Sequence, residues 1–171
     1  MNVRELPETG LLTVDAARKW REELRAAGKK LVVTNGCFDI MHRGHAAYLR
    51  EARMQGDALL VLINSDASVK RLKGEKRPVV AQMDRAYMLC SLSSVDRVVI
   101  FDRLRCDREL AAIAPDVYVK GGDYTLDKLD PDERAALEKA GTRIVFKPFV
   151  PGFSTTALIR RILDAENGSG K

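Results

Sequence analysis

The sequence has little cysteine and still less histidine. Its three cysteines, Cys37, Cys90 and Cys106, are widely spaced and form no C-x-x-C pair, which argues against a disulfide framework and against a zinc cluster. They are expected to be reduced and structural. No apolar run approaches the roughly 18 residues of a membrane span. Met1 to Gly10 carries acids and a proline where a secretory leader would carry an apolar stretch, so a cytoplasmic protein is expected. Aromatic residues make up only 6% of the chain, and no basic stripe interleaved with them marks a nucleic-acid surface. Internal repeats and low-complexity tracts are missing too.

What remains is the composition of one globular domain. A length of 171 residues suits a single core, and 46% hydrophobic with 31% charged residues separates the chain from disordered sequences. The balance of 29 basic against 24 acidic residues gives a net charge of +5, which permits anionic partners such as nucleotides and sugar phosphates without selecting one.

Short runs rich in Val and Ile predict five buried strands, at Leu31 to Thr34, Ala58 to Asn64, Val95 to Phe101, Asp116 to Lys120 and Thr142 to Lys147. Amphipathic stretches predict helices at Val14 to Ala27, Gly44 to Gln55, Ala67 to Leu72, Met83 to Leu92, Asp107 to Ala114 and Pro131 to Ala140. A last helix, Thr155 to Ala165, follows Ser154 as N-cap. This alternation implies right-handed crossovers and a mainly parallel sheet covered on both faces. The expected architecture is therefore a doubly wound, Rossmann-like α/β domain with five parallel strands. It would comprise an N-terminal helix over 13–28, a catalytic core over 30–165 and a frayed tail over 166–171.

In such sheets ligands bind beyond the carboxyl ends of the strands, so the segments that follow strands carry the chemistry. The first strand runs into Asn35-Gly36-Cys37-Phe38-Asp39 and then His42-Arg43-Gly44-His45 at the start of a helix. A glycine turn feeding a helix N-terminus offers free backbone N–H groups and the positive end of the helix dipole to an anion. His42 and His45 are the only histidines and lie three apart, on one face of the first turn, where both can address one phosphate. The same spacing fits a metal site, but no third ligand completes one. Cys37 reads as a small buried thiol rather than a nucleophile.

Further along, Lys70 to Arg77 places five positive charges in eight residues, suited to a polyphosphate through Lys73 and, beside it, Lys70. A solvated charged loop would look the same. Asp66, at a strand end, could face a ribose, face a metal or cap the next helix. Lys120-Gly121-Gly122-Asp123 follows the fourth strand, where paired glycines leave room for a base or a sugar, or simply make a tight turn. Ser154-Thr155-Thr156 opens the last helix, where hydroxyls and N–H groups can hold a phosphate or cap.

Taken in order, Gly36 to His45, Asn64 to Gly74, Arg77-Pro78, Asp84 to Ala86, Val119 to Tyr124 and Ser154 to Thr156 resemble the heptose 1-phosphate adenylyltransferase family of the H-x-G-H nucleotidyltransferase superfamily. The likeness runs over roughly residues 30 to 163. Glycerol-3-phosphate cytidylyltransferases share the H-x-G-H and the late S-T-T. The resemblance implies transfer of AMP from ATP, bound with Mg²⁺, to D-glycero-β-D-manno-heptose 1-phosphate, with release of pyrophosphate and no covalent enzyme intermediate. It implies catalytic roles for His42, His45 and Lys73. Nucleotide contacts would come from Asn35, Gly36, Cys37, Phe38, Asp39, Gly44, Lys120, Gly121, Gly122, Asp123, Ser154, Thr155 and Thr156, and acceptor contacts from Asp66, Lys70 and Arg85. No metal would be held by the protein alone, neither nucleic acid nor membrane would be a partner, and a homodimer is the family's habit.

ATP would be preferred over CTP, with Gly121 and Gly122 leaving space for adenine. Bulk at Gly122 would harm nucleotide use more than folding, provided its φ is not positive. Two features depart from the family. Asp127 to Ala140, with Pro131 and an acidic helix, is not the expected linker, and a stand-alone form without a fused sugar kinase domain is expected. Cytidylyl transfer to glycerol 3-phosphate or another small phosphate, and a nucleotide-binding regulator without turnover, stay open as alternatives.

Overall fold

The structure, a computed structural model, describes residues 10–148 and 152–168; the first nine residues, read above as unlike a secretory leader, and the last three of the expected tail lie outside the described residues. Among the described residues, strands and α-helices follow in the order β1 (Leu11–Leu12), α1 (Val14–Ala26), β2 (Leu31–Gly36), α2 (Arg43–Arg53), β3 (Ala58–Asn64), α3 (Asp66–Lys73), α4 (Gln82–Cys90), β4 (Arg97–Phe101), α5 (Asp107–Ile113), β5 (Val117–Gly121), α6 (Pro131–Lys139), β6 (Arg143–Lys147) and α7 (Thr155–Gly168). The strands form one sheet in the order β1-β4-β3-β2-β5-β6, every pair parallel.

The expected sheet of five strands is corrected to six. The additional strand, β1, is two residues long, with Leu11 opposite Val98 and Leu12 opposite Val99 of β4. Two residues are too few to show a period of two, and only tertiary pairing makes them a strand. Gly10 permits the approach: a Cβ there would lie 2.7 Å from the Cys90 sulfur. Thr13 then caps α1, its hydroxyl oxygen accepting from the Ala16 N–H at 3.2 Å. The expected frayed tail is also shortened, because α7 continues to Gly168. No proline or glycine interrupts the helical pattern before that residue.

The period of two sorts the strand side chains onto two faces. Leu31, Val33, Leu60 and Leu62 pack with Leu110 and Ile113 of α5, Leu137 of α6, and Ala17, Trp20 and Leu24 of α1. Val32, Leu59, Val61, Ile63 and Val98 pack on the other face with Leu49 and Ala52 of α2 and Ala86 and Leu89 of α4. All seven residues of β3 are buried, which is why this strand reads as an unbroken apolar run. Each of its leucines, at 0% exposure, contributes roughly 1.5–3 kcal/mol by leaving water.

The chain order decides where a ligand can sit. From β2 the connections run outward to β3 and β4, whereas β5 and β6 lie on the other side of β2. The loops leaving β2 and β5 therefore diverge, opening a crevice at their carboxyl ends. Among the described residues no helix is long and apolar enough to cross a membrane.

Candidate active site

A cleft of about 510 Å³ lies at that divergence, within the usual size range for small-ligand sites. Its floor is the end of β2. A Cβ on Gly36 would come within 2.9 Å of the Phe38 ring, so glycine is needed for the chain to fold back here. Phe38 takes a left-handed conformation, φ 46°, and its buried ring lies 5.4 Å from that of His45. A bulky residue at positive φ stores strain, and such strain concentrates at functional sites.

The turn delivers the two histidines to the start of α2, where they cap it together. The Gly44 N–H donates to His42 Nδ1 at 3.1 Å, and the His42 N–H approaches His45 Nδ1 at 3.4 Å. The rings stack with centroids 4.0 Å apart. Burial lowers both pKa values, that of His45 to about 4 with help from its neighbour, so both are neutral near pH 7. Because each Nδ1 accepts, each proton sits on Nε2, which remains a donor. His45 lines the cleft. His42 stands beside it, 6.2 Å from the Phe153 ring. A Cβ on Gly44 would press at 3.0 Å on both His42 and Phe153, so this glycine keeps the helix start open.

The basic run divides. Lys73, at the end of α3, and Arg77 line the cleft, while Lys70 is exposed and does not. Asp39 holds the returning loop: its buried carboxylate accepts from the Arg77 guanidinium and from the N–H groups of Val79 at 2.8 Å and Val80 at 2.9 Å. Asp39 thus reaches the cleft as an anchor for the loop, with its carboxylate already engaged.

None of the three residues expected at the acceptor lines the cleft. Arg85 is 1% exposed and donates to the carbonyls of Cys37 at 2.6 Å and Val80 at 3.0 Å and to Asp66 at 2.8 Å. It braces the floor from beneath. Asp66 is its ion partner, and the capping role falls to Ser65, whose hydroxyl accepts from the Ser68 N–H. Asp66, Lys70 and Arg85 carried a motif likeness, but Arg85, on the buried face of α4, pairs with Asp66 away from the cleft lining.

On the β5 side, the Lys120 ammonium donates to Asn35 Oδ1 at 2.9 Å and to the Tyr118 hydroxyl at 3.1 Å, and lies 3.5 Å from Glu133. Tyr118 in turn donates to Asn35 at 2.7 Å. This ties the ends of β2 and β5 to α6. Gly121 is small because of the protein itself: a Cβ would lie 2.8 Å from the Tyr48 ring. Tyr48 donates to the Val119 carbonyl at 2.9 Å and pairs with the Thr34 hydroxyl at 2.6 Å.

Gly122 has φ 114° and is buried, so the proviso on its substitution is not met: valine there would strain the backbone and cost stability as well as function. Asp123 is exposed, with its carbonyl accepting from Lys128. Thr155 and Thr156 line the cleft, whereas Ser154 caps α7, accepting from the Ala157 N–H at 3.0 Å. Cys37 lines it too, but burial raises its thiol pKa, which disfavours the nucleophilic thiolate.

Sequence reasoning missed Arg105, Lys128, Asp130 and Glu133, which complete the cleft wall opposite the histidines. The one available signal was the acidic segment after residue 127, noted as unlike the family. Among the described residues no group of three or more His, Cys, Asp or Glu side chains could hold a metal ion. The acids of the cleft are already paired, Asp39 with Arg77, Asp130 with Arg105 and Glu133 with Lys120, so they form no ready cage for a hard cation.

Residues 33–161 match the cytidylyltransferase-like family, and the chain belongs to it. Its cleft has His45 on the wall and His42 beside it at a helix start. The chain is 48% identical over 141 residues to the bifunctional protein HldE of Geobacter sulfurreducens, covering 82% of this chain and 28% of that protein. The HldE of Helicobacter pylori strain Shi470 is 49% identical over 144 residues, covering 84% of this chain and 30% of that one. The chain thus spans less than a third of the length of these relatives. A solved structure, the lipopolysaccharide core biosynthesis protein of Thermoplasma volcanium, superposes with a TM-score of 0.58 at 28% identity, covering 72% of this chain and 98% of that one.

Proposed function

We propose that this chain transfers the adenylyl group of ATP to a sugar 1-phosphate, D-glycero-β-D-manno-heptose 1-phosphate, releasing pyrophosphate. The observation that carries the reading is the pair His42 and His45, locked by mutual capping at the N-terminus of α2 with Nε2–H groups left as donors. Likeness to the HldE proteins and to a lipopolysaccharide core biosynthesis protein supports the choice of a heptose acceptor.

The chemistry asks mainly for positioning and charge stabilisation. A phosphate oxygen of the acceptor is already an anion, so it attacks the α-phosphorus in line without a general base. The P–O bond to the β-phosphate breaks as the new one forms, and pyrophosphate leaves. The imidazole N–H groups and the positive end of α2 oppose the charge that develops on the phosphoryl oxygens. The neutral imidazoles serve through Nε2–H, while each Nδ1 stays the acceptor that holds the cap. Lys73 and Arg77 face the polyphosphate. Mg²⁺ enters as part of the substrate, as its complex with ATP, because a hard octahedral ion is served by phosphate oxygens and water and needs no protein cage.

The test is pyrophosphate release with ATP, CTP, GTP and UTP against heptose 1-phosphate and glycerol 3-phosphate, with and without excess chelator. Turnover with ATP and the sugar phosphate, abolished by chelator, is expected. A preference for CTP, or turnover only with the polyol phosphate, would overturn the assignment.

A further inference from the structure

The cleft has a second group of lining residues that the nucleotide reading leaves unassigned. The group comes from the turn before α5, the 3-10 turn Leu126–Lys128 and the first turn of α6, and it centres on Glu133. This carboxylate is 2% exposed and still reaches the cleft wall. Its contacts are all long: Oε1 receives the Cys106 N–H and the Cys106 thiol, both at 3.3 Å, and Oε2 lies 3.5 Å from the Lys120 ammonium. Charge-assisted bonds usually close to about 2.7–2.9 Å, and an ionised carboxylate has roughly four acceptor sites. Glu133 is therefore a buried anion with acceptor capacity to spare, facing a cavity.

Its neighbour Asp130 is the contrasting case. One oxygen caps α6, accepting from the N–H groups of Asp132 at 3.1 Å and Glu133 at 3.3 Å, and the other takes the Arg105 Nε–H at 2.9 Å. Asp130 is filled and serves to hold Arg105 at the rim. Around Glu133 stand the cations Arg105, Lys120 and Lys128, and the half-exposed ring of Tyr124 lies 5.2 Å from the Lys120 ammonium.

We propose that this group forms the acceptor subsite and that Glu133 selects a polyhydroxylated ring, accepting bonds from its hydroxyls while Tyr124 supports its C–H face; the inference rests on the reading of the chain as a sugar-phosphate nucleotidyltransferase. A carboxylate accepts bonds from hydroxyls and repels a phosphate. Glu133 thus orients the acceptor, turning the hydroxyls toward α6 and the phosphate toward Lys120 and the histidines. A small phosphate with few hydroxyls forgoes the bonds to Glu133 and leaves that carboxylate with only its long contacts to Cys106 and Lys120, which is how a site built for hydroxyls rejects poorer analogues.

Glu133→Gln keeps the shape, keeps one acceptor oxygen and removes the charge, and Tyr124→Ala removes the exposed platform without touching the core. Steady-state kinetics with heptose 1-phosphate should show the acceptor KM rising roughly tenfold in Glu133→Gln, in keeping with the loss of hydrogen bonds to a charged group. A smaller rise is expected in Tyr124→Ala, and the KM for ATP should stay unchanged in both. Unchanged ATP binding by calorimetry confirms that each variant is folded. An unchanged acceptor KM in both variants, or a rise in the ATP KM alone, as if Glu133 met the base, would overturn the subsite. Should the wild-type protein turn over no sugar phosphate at all, the proposed function itself fails and the subsite falls with it.

Discussion

The two walls of the cleft were built by different means. On the α2 side, ten consecutive residues, Gly36 to His45, supply the turn, the helix start and both imidazoles, and the bonds that orient them span two or three residues. On the α6 side the groups come from Lys120, Arg105, Lys128 and Glu133, joined by bonds such as Arg105 to Asp130 and Cys106 to Glu133, 25 and 27 residues apart. A local wall keeps its geometry through one helix cap. An assembled wall depends on every element around it, so substitutions there should disturb the acceptor more readily than the phosphates.

The largest expected effect is on the local wall. His45→Ala and His42→Ala should each lower kcat on the order of a hundredfold or more while ATP binding falls less, because losing one preorganised donor to developing charge costs about 2.7–4 kcal/mol of barrier. Stopped assays of pyrophosphate release decide this, and near-normal turnover in both variants would remove the histidines from the mechanism.

Next in size is the anchor behind that wall. Asp39→Ala leaves the Arg77 guanidinium and two N–H groups without their acceptor, and should cost about 3 kcal/mol of stability in urea unfolding. Lys73→Ala, which breaks no ion pair among the described residues, should leave stability within about 0.5 kcal/mol of wild type and weaken ATP more than the acceptor. If the two variants behave alike, the loop is not held as described.

Gly122→Val tests the assembled side. With φ at 114° it should lose roughly 1–3 kcal/mol of stability, together with activity. A variant as stable as wild type would mean that the turn tolerates a side chain.

The last effect is proton-linked. The folded pKa of His45 lies near 4, below the ordinary 6.5, so between those values the unfolded chain binds more protons than the folded one. Stability of the ligand-free protein should therefore be flat above pH 6.5 on this account and decline as pH falls from 6.5 toward 4. His45→Gln should flatten that difference in melts taken at several pH values. Equal slopes in the two proteins would show that His45 is not buried neutral.

Much of the architecture could be read before any coordinates, because it rests on local rules. Unbroken apolar runs such as Ala58 to Asn64 belong to strands buried on both faces, and the alternation with amphipathic helices dictates parallel pairing. The H-x-G-H segment was equally legible, since a helix cap is made by neighbours in sequence. β1 was not, because two leucines acquire strand character only from β4. Gly121 was seen as room for a base, although the Tyr48 ring, 73 residues earlier in the numbering, is what forbids a side chain.

By itself, then, the sequence determined the parallel α/β layering and the place of the two histidines at the start of α2, through patterns no longer than a helix turn or a strand. Tertiary structure alone decided that Arg85 and Asp66 turn behind the wall, that Asp39 is spent on the 77–80 loop, and that Glu133 reaches the cleft from α6. A charged side chain's role depends on which partners burial brings within about 3 Å, and no local pattern encodes a partner tens of residues away.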